Sequence, residues 1–160
     1  MSNLPFPTED SDHVKQVISA YLKDATTAYV GAPVKFSTNY TNNGGLIEVI
    51  QTTANTDEVL GVVDFDFGWT PSGQYPHTGN NSLHINPENR VIPIRRLFGI
   101  GRVRCLADIA KGSQVVAGNG GVVIKPSLGS TPAMVLGRLL EAGTTGNLAK
   151  IYFEKSFTLV

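Results

Sequence analysis

Short runs rich in Val and Ile recur along most of this chain, and some segments alternate strictly between polar and hydrophobic residues, which is the pattern of β-strands. Asp64 and Asp66 share one face of a strictly alternating segment, and Arg102 and Arg104 share one face of another. Gly, Pro and Asn residues, which are typical of tight turns, separate the alternating segments. The pattern predicts strands over residues 34–36, 46–50, 59–63, 91–94, 100–106, 114–117, 121–125, 134–140 and 149–153, and it leaves residues 157–160 as a polar tail.

Residues 12–24 have the spacing of a helix instead. Apolar residues recur there at intervals of three and four positions, as on one face of a helix: Val14, Val17, Ile18, Tyr21 and Leu22. Acidic residues just before this stripe suit the exposed amides of a helix start. We expect a helix over residues 12–24 that either covers one end of the β core or docks on a partner.

The first eleven residues show no periodicity and predict an extended arm. Leu4, Pro5, Phe6 and Pro7 combine two apolar side chains with two prolines that stiffen the backbone. Such a segment loses less entropy on docking than a flexible tail does. The arm is therefore a candidate contact with a neighbouring subunit, and the alternative is a disordered terminus with no partner.

The sequence of residues 70–90 predicts a long exposed loop, because Pro, Gly and Asn residues interrupt any periodicity of hydrophobic positions there. Loops of this length inside compact domains are usually functional or mobile. Trp69 and Tyr75 lie at and within this loop and are candidate contact residues.

These elements predict a mostly β protein: a small β-barrel or β-sandwich-like domain over residues 29–160, preceded by the arm and the helix. The composition agrees with this prediction, since the 160 residues include 17 glycines and only 16% are charged, against about 25% in a typical soluble domain. No apolar run approaches the roughly 20 residues that a membrane helix needs, and the start does not resemble an export signal.

A repeat is visible within the predicted β domain. Its three blocks are Gly-x-x-Val, Asn-Gly-Gly and Val-Leu-Gly, which begin at Gly31, Asn43 and Val59 and return at Gly112, Asn119 and Val135. The last two blocks keep the same spacing in both copies, which predicts a duplicated unit of strand, hairpin and strand. Chance similarity between glycine-rich hairpins is the alternative.

Charge is divided between the two halves of the chain. Residues 1–89 hold 3 Lys and 10 acidic residues, whereas residues 90–160 hold 10 Lys or Arg and 3 acidic residues. The halves either fold onto each other or meet between identical subunits. A charge ladder would form if Asp64 and Asp66 faced Arg102 and Arg104, either within one subunit or between two subunits. The basic residues are not interleaved with aromatic ones, so we expect no nucleic-acid partner.

Catalytic, cofactor and metal motifs are not recognisable. There is no Gly-x-Ser-x-Gly elbow, and one cysteine excludes a cysteine-rich metal site. His77 and His84 lie seven positions apart in the predicted loop, where histidines are usually solvated. Gly99-Ile100-Gly101 lacks the third glycine and the following helix of a dinucleotide fingerprint. We therefore expect no enzyme, no cofactor and no bound metal.

The second half of the chain resembles a known family. The segments Gly99–Gly112, Gly120–Val123, Val135–Gly143 and Gly146–Ile151 are similar to the small β-rich decoration, or cement, proteins of tailed-bacteriophage heads. The block of residues 31–63 fits the first half of the same pattern, while the predicted helix and the loop at residues 70–90 do not belong to it.

This resemblance implies a structural virion protein made in the host cytoplasm. Such a protein forms a homotrimer and binds the major capsid protein on the outside of the assembled head, where it bridges capsid subunits. Two other hypotheses stay open. One is a receptor- or carbohydrate-binding module of the virion that uses the predicted loop. The other is a small β-barrel hydrolase or isomerase, which would need His13, His77 or His84 beside an acid in one pocket.

Overall fold

The computed structural model describes residues 17–23, 28–37, 46–64, 82–83 and 91–160. The mostly β fold is confirmed, with strands as the regular elements of these residues. In chain order the strands are β1 Val17–Leu22, β2 Ala28–Tyr29, β3 Pro33–Phe36, β4 Ile47–Gln51, β5 Gly61–Val63, β6 Ser82–Leu83, β7 Val91–Arg96, β8 Phe98–Arg104, β9 Gln114–Gly118, β10 Gly121–Ile124, β11 Pro132–Leu139 and β12 Leu148–Leu159.

Four strands of the first half and β7, at the start of the second half, form a closed barrel in the order β1-β4-β3-β5-β7, which we call the first barrel. β1 is parallel to β4, and the other neighbouring strands are antiparallel. Burial of a Val, Leu or Ile side chain contributes roughly 1.5–3 kcal/mol relative to its exposure, so the apolar interior holds this small barrel together. The interior contains Ala20, Leu22, Val34, Val49, Val63, Ile92 and Ile94.

Five strands of the second half form a sheet in the order β10-β9-β11-β12-β8. Its two edge strands approach each other, because Cys105, directly after β8, makes a parallel bridge to Val122 of β10. We call this curled sheet the second barrel. Two short strands, β2 and β6, pair separately, and they place Ser82 and Leu83 of the predicted loop opposite Tyr29 and Ala28.

The predicted repeat corresponds to these two barrels. In strand order, β1, β4, β3, β5 and β7 of the first barrel match β8, β10, β9, β11 and β12 of the second. The register matches too: Val34 lies opposite Gly61 in the first barrel, and Val115 lies opposite Gly137 in the second. The duplicated unit is thus a complete five-stranded barrel.

One part of the predicted alignment is shifted. The sequence pattern aligns Gly45 with Gly121. In the structure Val49 and Val122 are equivalent, because each meets the strand that closes its barrel in parallel, and Glu48 therefore takes the place of Gly121. The prediction failed here because the connection from β3 to β4 contains more residues than the one from β9 to β10.

The glycines of the Val-Leu-Gly blocks mark close contacts between strands. A Cβ on Gly61 would overlap the backbone carbonyl oxygen of Arg95, and a Cβ on Gly137 would overlap that of Tyr152. Arg95 and Tyr152 occupy equivalent places on β7 and β12. Glycine is therefore required at the same point of each barrel.

The glycines that open each repeat have left-handed backbone conformations. Gly31 has a φ of 75° and Gly112 a φ of 83°, which glycine adopts without the steric cost that other residues meet. Their N–H groups donate to equivalent carbonyl oxygens, of Val63 at 2.9 Å and of Leu139 at 2.8 Å. Each turn is thus hydrogen-bonded to the last residue of a strand of its own barrel, β5 in the first and β11 in the second.

The predicted helix over residues 12–24 is wrong for its described part. Val17–Leu22 is strand β1, which pairs with both β4 and β7. Ala20 and Leu22 face the barrel interior while Ser19 is exposed, so side chains alternate between the two faces with the period of a strand. A six-residue segment with five apolar residues fits either period, and closure of the barrel decided the outcome. The predicted tail is also corrected, because β12 continues through Leu159.

The two barrels pack directly against each other. Val59 and Val62 of the first half belong to the hydrophobic core of the second barrel. The buried hydroxyl of Thr52 donates to the carbonyl oxygen of Gly118 across the boundary at 2.8 Å. The barrels therefore share one continuous boundary.

Candidate functional site

A cleft of about 210 Å³ lies along the boundary between the barrels. The first barrel lines it with Val62, Val63, Asp64 and Arg95, and the second barrel lines it with Ile100, Gly101, Arg102 and Lys150. Three cationic side chains and one carboxylate therefore surround this inter-barrel cleft.

An ion pair lies on the first-barrel side of the cleft. The Nε of Arg95 donates to Oδ2 of Asp64 at 3.1 Å, and the two side chains are only 12% and 7% exposed. Arg95 also donates through Nη1 to the carbonyl oxygen of Ile100, at 3.3 Å. One arginine thus joins the buried carboxylate of the first barrel to strand β8 of the second. Removing one member of such a pair would leave a buried charge without its partner.

The second-barrel side of the cleft continues onto an exposed sheet face. Lys150 lies opposite Arg102, and Tyr152 lies opposite Ile100, in the pairing of β12 with β8. Ile100 is 59% exposed and Tyr152 is 50% exposed. The next pair is Phe98 opposite Glu154, and both side chains are exposed.

Strand β11 widens this face. Arg138 lies opposite Tyr152 on the other side of β12, and its Nε is 3.8 Å from Oε2 of Glu154. Leu140 follows β11 and is 39% exposed. We define the outer patch by three apolar residues and three cations: Ile100, Leu140, Tyr152, Arg102, Arg138 and Lys150.

Packing inside the second barrel accounts for the alternation along β8. A Cβ on Gly101 would overlap the ring of Phe153, so the inward position must stay small where that ring packs. The outward neighbours Ile100 and Arg102 are large and exposed. The Gly-Ile-Gly-Arg run is therefore a strand with a crowded inner face.

Arg102 and Arg104 lie on the same strand but have different surroundings. Arg102 is exposed on the outer patch. The guanidinium carbon of Arg104 lies 3.9 Å from the centre of the Tyr29 ring, and its Nη1 donates to the carbonyl oxygen of Gly120 at 3.1 Å. Arg104 thus faces the barrel boundary, and its buried Nε has no hydrogen-bond partner within the part of the chain that is described.

The predicted charge ladder does not form between neighbouring strands of one chain. Asp64 pairs with Arg95, whereas the strand of Arg102 and Arg104 pairs with β12. A contact of these residues between subunits stays a prediction. The remaining candidates lie outside the described residues: Leu4, Pro5, Phe6, Pro7, Asp66, Trp69 and Tyr75, together with His13, His77 and His84.

Sequence reasoning missed Ile100, Leu140, Lys150 and Tyr152. A usable signal was present, since Ile100 shares the alternation of Arg102 and therefore its face. Only strand pairing brings Leu140, Lys150 and Tyr152 next to them.

Another exposed apolar surface lies at the end of β12. Phe157 is 68% exposed and Leu159 50%, and Leu128 in the loop between β10 and β11 is 85% exposed. The Nζ of Lys155 lies 5.7 Å from the centre of the Phe157 ring.

Other site types find little support within the described ranges. Burial, with a smaller contribution from Glu141, raises the pKa of the Cys105 thiol, which keeps this core thiol protonated. Among those residues no three His, Cys, Asp or Glu side chains cluster as metal ligands do. None of those residues belongs to a helix of the length and hydropathy that a membrane span requires.

The fold defines a class of protein: a closed five-stranded barrel and an equivalent five-stranded curled sheet that pack against each other. No protein family and no curated protein matches the chain. Among solved structures it is similar to the N-terminal base of the head fiber protein gp8.5 of bacteriophage phi29. The TM-score is 0.55 at 15% sequence identity, and the match covers 86% of this chain and 92% of the other. At this identity the match shows a shared fold.

Proposed function

We propose that this protein is a structural component of a bacteriophage virion, without catalytic activity, which binds the outer surface of the assembled head and stabilises it by bridging capsid subunits. The fold match carries the proposal, since the similar chain is the base of a head fiber and nearly its whole length is matched. The sequence resemblance of residues 99–151 to head decoration proteins supports the same assignment.

The test uses heads of the phage that encodes this chain, prepared without the protein. Purified full-length protein should sediment with these heads at saturable stoichiometry, and the decorated heads should resist heat or chaotrope better than bare ones. Tails or host cells that bind the protein while heads do not would exclude the capsid role. Binding to host glycans in place of heads would favour the receptor- or carbohydrate-binding module.

We propose a homotrimer as the assembled form, because copies that bridge neighbouring capsid subunits benefit from binding together. Stable interfaces usually bury more than about 1,000 Å², so the trimer should persist on dilution. Sedimentation equilibrium measures the mass directly. A monomer at every concentration would remove the trimer from the proposal.

The N-terminal arm is the contact that the sequence predicts. Deletion of residues 1–11 should leave the far-ultraviolet spectrum nearly unchanged and lower occupancy on the heads, because Leu4 and Phe6 would no longer be available to a groove on a neighbour. Full occupancy by the shortened protein would exclude the arm as a contact.

A further inference from the structure

The internal repeat allows each outer face of the second barrel to be compared with its counterpart in the first. Val62 lies opposite Arg95 between β5 and β7, as Arg138 lies opposite Tyr152 between β11 and β12. One residue beyond β5, the N–H of Asp64 donates to the carbonyl oxygen of Pro93 at 2.9 Å. The matching bond beyond β11 joins Leu140 to Lys150 at 2.8 Å.

Equivalent positions therefore have opposite environments. In the first barrel Val62, Asp64 and Arg95 line the boundary with the second barrel and are covered by it. Their counterparts on the second barrel are Arg138, Leu140 and Tyr152, all exposed. The same face of the same fold packs against protein in one barrel and meets solvent in the other.

The neighbouring strand shows the same contrast. Ile100 on β8 is equivalent to Val17 on β1, and the two side chains are 59% and 9% exposed. Arg102 is equivalent to Ser19, so the second barrel also adds a cation at this face. Large exposed apolar groups rimmed by polar ones mark protein interaction sites.

We propose that the outer patch is the surface through which this protein docks on its capsid partner, a protein surface that presents apolar side chains beside carboxylates. This inference rests on the proposed function and adds the contacting face and the chemistry of the partner. Ile100, Leu140 and Tyr152 provide the apolar contacts, as the exposed counterparts of positions that are buried or nearly buried in the first barrel.

Charge complementarity predicts that the partner carries carboxylates where it meets the cations of the outer patch. Arg102 and Lys150 lie directly opposite each other at one end of the outer patch, so a carboxylate of the partner can bridge two cations there. Among the described acidic groups nearby, Asp64 pairs with Arg95, Glu154 pairs with Arg138, and Oε1 of Glu141 accepts from the backbone N–H of Lys150. Residues 90–160 as a whole carry 10 cationic and 3 acidic residues, so an acidic partner is attracted and a basic one repelled.

The experiment measures binding of full-length variants to the bare heads described above. Ile100→Thr with Tyr152→Thr removes two of the three exposed apolar groups, and Arg102→Glu with Lys150→Glu reverses the charge at one end of the patch. Each pair should weaken binding by about tenfold or more, the loss typical of interface anchors. Leu128→Ser and Lys155→Glu, on exposed positions outside the outer patch, serve as matched controls and should bind as the wild type does. Unchanged thermal unfolding of each variant shows that it is folded.

The outcomes separate the two proposals. A wild type that does not bind heads overturns the proposed function and this inference together. A wild type that binds, with patch variants that bind equally well, overturns only the inference. Loss of trimer in the patch variants, with undiminished binding to heads, would assign the face to a second copy instead. Retention of a single-stranded oligonucleotide by the wild type, lost in Arg102→Glu, would assign it to nucleic acid and also overturn the inference.

Discussion

The first and second barrels have the same strand order and the same register, yet their outer faces differ in chemistry. Where the first barrel holds the ion pair of Asp64 and Arg95, the second has Leu140 and Tyr152 at the equivalent places. In the first barrel this face packs against the second barrel, whereas in the second barrel the equivalent face is exposed to solvent. A duplicated fold thus keeps its interior, which barrel closure requires, while its outer positions diverge according to what they meet.

The largest expected effect on stability tests whether the two barrels are equally intolerant of a side chain at Gly61 and Gly137, where neighbouring strands approach closely. Gly137→Ala and Gly61→Ala each push a Cβ into a backbone carbonyl of the neighbouring strand, so each should destabilise the fold by about 3 kcal/mol. Thermal or denaturant unfolding measures both. Gly112→Ala is the control: its φ is 83° but the space around it is open, so a loss of about 1 kcal/mol is expected. Equal losses at all three positions would contradict the close approach of the strands.

The second effect tests the difference between the outer faces. Asp64→Asn removes the charge that Arg95 binds in a nearly buried site and should cost about 2 kcal/mol. Leu140→Asn changes the equivalent, exposed position of the second barrel and should stay within about 0.5 kcal/mol. Denaturant unfolding of both variants provides the comparison. A cost at Leu140 as large as that at Asp64 would mean that the second face is covered within the chain itself.

A smaller effect concerns the bond that joins the barrels. Thr52→Val keeps the side-chain shape but removes the hydroxyl that donates to the carbonyl oxygen of Gly118, and a loss of about 1 kcal/mol is expected. Thr131→Val, at an exposed position that is hydrogen-bonded to Val160 through its backbone alone, should change stability much less. If the two variants unfold alike, this hydrogen bond does not stabilise the packing of the barrels.

The smallest effect is a dependence on pH in the turn before β5. Burial raises the pKa of Asp57, but hydrogen bonds from Lys35 and from the backbone amides of Thr53 and Ala54 outweigh it, and the net pKa is lowered. The folded state therefore favours the ionised form. This contribution, about 1 kcal/mol or less, is complete above the ordinary Asp pKa of about 3.9 and is lost as the pH falls through the lower pKa of the folded state.

Unfolding of the wild type and of Asp57→Asn between pH 7 and pH 3 isolates that contribution. Asp57→Asn should be less stable at neutral pH, and the difference should shrink in acid. A constant difference across the range would assign the effect to something other than ionisation of Asp57.

Local patterns in the sequence predicted most of the strands and the duplication. Alternation over residues 100–106 identified β8, because one buried face imposes a period of two. The first and third glycine blocks identified the repeat, because they mark a turn and a crowded crossing that recur in both barrels. The helix prediction failed at Val17–Leu22, since this short, mostly apolar segment suits either period and only pairing with β4 and β7 makes it a strand.

The sequence by itself therefore determined the fold class, the repeated unit and the uneven distribution of charge, all of which are properties of neighbouring residues or of simple counts. Only the tertiary structure decided which residues share a surface. Ile100 and Tyr152 are distant in sequence and adjacent across β8 and β12, and Asp64 meets Arg95 because β5 lies beside β7. Such contacts depend on strand order and register, which the whole barrel sets when it closes and buries its apolar interior.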